Sequence, residues 1–125
     1  MRAPEVLQFV QGGYLNGGRA LELVDGVLRW TPQEGAWGHA PFCLPGEVRP
    51  DAEAWGRFRA AIDDLNVWGW ETRYEDPRIL DGSYWRLLVN WAGRTIDASG
   101  ANAYPAGWRV FRSALDRLTS TSAPI

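Results

Sequence analysis

Two matching apolar stripes constrain this chain more than any other feature. Ala54, Trp55, Phe58, Ala61, Ile62 and Leu65 recur at helical spacing, and Trp108, Phe111, Ala114, Leu115 and Leu118 do the same later. Trp108 follows Trp55 by 53 residues, and at that offset Phe111, Arg112, Ala114, Asp116 and Leu118 repeat Phe58, Arg59, Ala61, Asp63 and Leu65. Each stripe needs an apolar surface to lie on. The segments around the stripes alternate with period two, so that surface is a sheet. The expected fold is therefore α+β: a mainly antiparallel sheet of about six strands with two helices on one face. The echo between the helices points to an internal duplication of the form strands-helix-strands-helix.

The strands are read from alternation and turn chemistry. Glu5 to Gln11 reads as the first, and Gly12-Gly13 and Gly17-Gly18 bracket a turn after it. Arg19 to Val24 and Val27 to Thr31 flank Asp25-Gly26, a dipeptide suited to a hairpin turn whose two central residues need positive φ. Val67 to Tyr74 alternates, with Trp68, Trp70, Thr72 and Tyr74 on one side and Glu71 and Arg73 on the other. Tyr84 to Trp91 and Arg94 to Ser99 form a second hairpin around Ala92-Gly93. Asp51 is placed to cap the first helix, which should end near Asn66, and Pro105 suits the first turn of the second. Residues 1–118 are expected to make one domain, with 119–125 a flexible tail.

Between Pro32 and Pro50 lie two further prolines, Pro41 and Pro45, with Gly35, Gly38 and Gly46, so this stretch reads as a long irregular loop. Loops of that length in compact domains are uncommon and often carry function. This one holds Trp37, His39, Phe42 and Cys43.

Composition removes several classes of function. Thirteen basic residues, all Arg, face 15 acidic ones, a net charge of -2. No broad positive field results, and nucleic-acid binding is not expected. The all-Arg usage reads as codon bias of a GC-rich genome. Cys43 is the single cysteine and cannot form an internal disulfide. With no signal-peptide pattern at the N-terminus and no long apolar window, a cytoplasmic protein without membrane association is expected.

The run Asp81-Gly82-Ser83-Tyr84-Trp85, then Gly93-Arg94-Thr95-Ile96, then Ser99-Gly100-Ala101-Asn102-Ala103-Tyr104-Pro105 resembles the closing segment of a family of uncharacterised bacterial proteins. Those read DG-x-x-W, a strand pair, then SG-x-NAYP and a helix. The resemblance covers about residues 81–118 and implies no activity and no catalytic residues. Read from the residues alone, Gly100 can turn left-handed at the strand exit, and Asn102 can hydrogen-bond nearby backbone. Tyr104 can pack over the first helical turn.

Catalytic and metal patterns do not converge. His39 and Cys43 have no second ligand pair, and His39 is the only histidine available to a nucleophile. No G-x-S-x-G is present, and the Gly12–Gly18 run leads into a strand rather than a helix. No cofactor is expected. Glu71, with Glu75 and Asp76 beyond it, could supply acid–base chemistry if buried. The eight Trp residues are the unusual feature. Trp55 and Trp108 belong to the helix stripes. Trp68, Trp70, Trp85 and Trp91 alternate on strands and are core if that face meets the helices, or an aromatic platform if it is open.

The candidate contact residues are thus Trp37 and His39 in the loop, Trp68, Trp70 and Arg73 on the strand, and Tyr104 before the second helix. The expected function is a non-catalytic module binding a protein or a small molecule. One alternative is an enzyme using Glu71 in a pocket beneath the loop. Another is a structural protein that forms a homodimer through an open, Trp-rich sheet face.

Overall fold

A computed structural model describes residues 1–13, 17–33, 45–78 and 82–120. The chain runs through β1 (Val6–Gly13), β2 (Gly17–Val24), β3 (Val27–Gln33), β4 (Gly46–Val48), α1 (Ala52–Asp64), a 3-10 turn (Val67–Gly69), β5 (Arg73–Glu75), β6 (Tyr84–Trp91), β7 (Arg94–Ala101) and α2 (Trp108–Ser120). The strands form one sheet in the order β4-β3-β2-β1-β6-β7-β5. Every pairing is antiparallel except that of β5 with β7.

Register explains which side chains become core. Gly46, Trp30, Leu21, Phe9, Leu87 and Ala98 lie opposite one another in a row from β4 to β7. Leu21, Phe9, Leu87 and Ala98 are buried, and Trp30 packs against them. Period-two alternation puts Leu7, Trp85, Val89, Trp91 and Ile96 on the same face, all buried. Phe58 of α1 stacks on Trp91 at 6.2 Å, and Phe111 of α2 meets Phe9 edge-on at 5.7 Å. Both helices therefore cover one face, as the stripes require.

Turn and cap chemistry match the sequence. Asp25 and Gly26 have φ of 52° and 79°, and Ala92 and Gly93 have 49° and 86°, so both hairpins turn with two positive-φ residues. Asp51 caps α1, its carboxylate accepting from the Ala54 N–H at 2.8 Å; such a cap contributes about 1 kcal/mol. Asn66 ends the helix in the left-handed conformation, φ 51°.

The sheet is mainly antiparallel as expected, with seven strands and one parallel pair. Three expectations need correction. The alternating run from Val67 to Tyr74 is not a strand: it forms the 3-10 turn, and only Arg73–Glu75 is extended. The left-handed Asn66 starts that turn, and the Trp68 indole N–H bonds back to Asp63 at 2.7 Å, which closes it against the helix end. The proline-rich stretch contains β4, because Gly46 lets the chain pass beneath the Trp30 ring. Finally, α2 begins at Trp108 and runs to Ser120, two residues into the stretch expected to be a tail.

The open face carries no Trp among the described residues. Arg29–Glu47 (3.2 Å), Arg73–Glu75 (2.6 Å) and Arg86–Asp97 (3.3 Å) lie along it as ion pairs. Trp30, Trp85 and Trp91 pack on the helix-covered side, so of the two alternatives these indoles are core, and the open face mixes ion pairs with residues such as Val10, Tyr84 and Leu88.

Candidate functional site

Trp37 and His39 lie outside the described residues. The remaining candidates separate into three places.

Tyr104 closes the end of the second hairpin. Its ring lies 5.0 Å from that of Trp108, and its hydroxyl donates to Ser83 Oγ at 3.0 Å. Asn102 Oδ1 accepts from the Ser83 N–H at 3.0 Å and lies 3.2 Å from Ser83 Oγ. The Trp85 indole donates to the Ala103 carbonyl at 2.8 Å. Together these bonds tie the exit of β7 to the start of β6, so the S-G-x-N-A-Y run serves the structure. Gly100 is needed there for closeness rather than for a left-handed turn. A Cβ at that position would collide with Trp85 Nε1, while the positive φ belongs to Asn102, at 58°.

Trp68 and Trp70 are both half-buried but serve different neighbours. Trp70 packs among Trp85, Trp108 and Phe111, with centroids 5.4 to 6.2 Å away. The Arg59 guanidinium lies 5.3 Å from both the Trp68 and Trp91 rings, with Asp63 3.0 Å from its Nε. Burial raises the Asp63 pKa, but the Trp68 indole N–H and the Arg59 guanidinium outweigh it and leave the carboxyl below its usual range. Arg73 is exposed and pairs with Glu75. None of Trp68, Trp70, Arg73 and Tyr104 lines either of the recesses described below, although Trp70 and Tyr104 both pack on Trp108.

Glu71 stands exposed, and its backbone N–H donates to the Tyr74 hydroxyl at 3.0 Å. It lines neither of the two recesses below. Among the described residues no three His, Cys, Asp or Glu side chains gather in a metal-binding group.

One recess of about 520 Å³ is bounded by residues 1–5, Trp91 and Ala92. The single carboxylate in it, Glu5, already accepts from the Ala92 N–H at 3.0 Å. The second recess, about 170 Å³, lies between the helices and is lined by Ala54, Arg57, Phe58, Ala114, Arg117 and Leu118. Its floor joins the start of α1 to the end of α2 and is apolar; its rim carries two guanidinium groups. Arg57 is held loosely by Glu53 at 3.9 Å, and Arg117 has no ion pair among the described residues. In the sequence Arg57 merely falls off the apolar stripe, and nothing gives Arg117 a role. Only the antiparallel packing of the helices brings the two together. The repeat at offset 53 could have signalled that the helices pack on each other, but not which flanking residues meet.

No family model matches the chain, and no curated protein matches it. Among the described residues no helix is long and apolar enough to cross a membrane.

Proposed function

We propose that this chain is a non-catalytic interaction module that takes an apolar side chain flanked by carboxylates, from a partner protein, into the groove between α1 and α2. The groove between Arg57 and Arg117 carries this reading. Its volume of about 170 Å³ is below the roughly 300–1,000 Å³ of pockets that enclose a small-molecule ligand. It suits one anchoring side chain, the usual core of a protein contact. The cationic rim would select acidic neighbours on the partner and speed encounter. A small-molecule occupant of this groove is less favoured on the same volume argument. The homodimer reading is less favoured because no Trp among the described residues faces the open side of the sheet, and the enzyme reading because Glu71 is exposed and lines neither described recess.

The test uses labelled helical peptides carrying Leu or Phe at i and i+4 with Glu beside them, measured by fluorescence anisotropy. Saturable binding that is lost on Arg57→Glu with Arg117→Glu, and weakened by added salt, supports the module. Binding to none of the peptides, or binding unaltered by the double charge reversal, rejects it.

Two finer readings accompany this proposal. The helices arose by duplication: each carries a Phe-Arg pair set on a ring of the central strand pair, Phe58 and Arg59 on Trp91, Phe111 and Arg112 on Phe9. Kinship with the bacterial proteins sharing the DG-x-x-W and SG-x-NAYP segments, and a cytoplasmic location, belong with the same proposal.

A further inference from the structure

At the other flank of α2, polar groups are gathered without being fully used. Arg19 of β2 and Arg112 of α2 share one carboxylate: Asp116 Oδ1 lies 3.1 Å from Arg19 Nη2 and 3.5 Å from Arg112 Nη2. Both guanidinium side chains are mostly covered, 22% and 23% exposed, while Asp116 is 58% exposed. Two cations therefore face one outward carboxylate. Among the described residues, Arg112 Nη1 is buried and has no hydrogen-bond partner, and the same holds for Gln11 Oε1. Gln11 lies directly across from Arg19 in the β1–β2 register, so these groups share one corner of the helix-covered face. The Arg112 guanidinium rests over the Phe9 ring, 5.3 Å from its centroid. Desolvation lowers the Arg112 pKa and the nearby Arg19 lowers it further, against the opposing pull of Asp116.

We infer that this corner is a binding site for a small tetrahedral oxyanion, with Arg19 and Arg112 as its donors and Asp116 as the group it displaces. A planar carboxylate engages only the outer edge of the guanidinium pair, where Asp116 already sits. A divalent tetrahedral anion carries the second negative charge that one carboxylate lacks, and its separate oxygens can accept from Arg19 Nη2 and Arg112 Nη2 at once. The site is independent of the interhelical groove, which uses Arg57 and Arg117.

Titration with inorganic phosphate and with sulfate tests this, at ionic strength held constant with chloride and followed by NMR of the arginine Nε–H groups. The expected result is saturable shifts centred on Arg19 and Arg112. Asp116→Asn, a change at an exposed position, removes the competing charge and should tighten phosphate binding roughly tenfold, while Arg19→Gln should weaken it by a similar factor. Shifts that grow linearly without saturation, meaning an adventitious ion only, would overturn the inference. So would an Asp116→Asn protein that binds phosphate no more tightly than the parent.

Discussion

Gly100 and Trp85 show how one residue type is forced by another. The Trp85 ring crosses β7 at Gly100 to reach the Ala103 carbonyl, and a methyl group at position 100 would collide with its nitrogen. Gly100→Ala must therefore either push the ring away and orphan its N–H or bend the strand. Overpacking of this kind costs about 1–3 kcal/mol, and the lost hydrogen bond adds to it. Chemical denaturation should show the loss, and a stability within error of the parent would mean that Trp85 has room to move. Ala92 poses the opposite case: a non-glycine residue with φ of 49° in the turn of the second hairpin. Asn tolerates that conformation better, so Ala92→Asn should raise stability by up to about 1 kcal/mol. Thermal melting would measure the gain, and an unchanged midpoint would mean that the turn carries no strain.

Within single elements, the end of α1 gathers the most chemistry. Asp63 binds Arg59 one turn earlier and the Trp68 indole in the following turn, so it fastens the 3-10 turn to the helix. Its folded-state pKa is lowered, which means the ionised form favours folding. That contribution is complete above the unfolded value of about 4 and fades as pH falls through the lower folded value. Asp63→Asn should be less stable than the parent at neutral pH and should lose less stability on acidification below about pH 4. Parallel acid-unfolding curves for the two proteins would refute the assignment. The same element marks the limit of what the sequence makes legible. The helices, the Asp51 cap and both hairpin turns were readable because each depends on neighbours within four residues, whereas Pro105 lies three residues ahead of α2 rather than in its first turn. The turn at Val67–Gly69 was not, since Trp68 and Trp70 alternate like strand residues and only the bond to Asp63 and the packing of Trp70 on Phe111 decide otherwise. The two-residue spacing was correct as a pattern and wrong as a strand. The rim of the groove, Arg57 and Arg117, was hidden for the same reason, because it is created by one helix lying on another.

Across the whole molecule, each helix fastens the strands of the opposite half. The first helix leaves the β4 edge yet packs Trp55 and Phe58 on Trp91 of β6. The second leaves β7 yet packs Phe111 on Phe9 of β1 and pairs Asp116 with Arg19 of β2. Although the second half also packs on itself through Trp70, Trp85 and Trp108, the two halves share one continuous core. Unfolding should therefore be a single transition, with near-UV and far-UV signals coinciding; separated transitions would show that one half stands alone. The indoles that build this core lie close enough to act on light together. Trp85 and Trp108 are 4.7 Å apart between centroids, and Trp55 and Trp91 are 5.7 Å apart. Excitation of one ring in each pair is shared with its neighbour. The circular dichroism of the native protein will then contain exciton bands from paired tryptophans, and a helix content calculated from that spectrum as if only peptides absorbed will come out wrong.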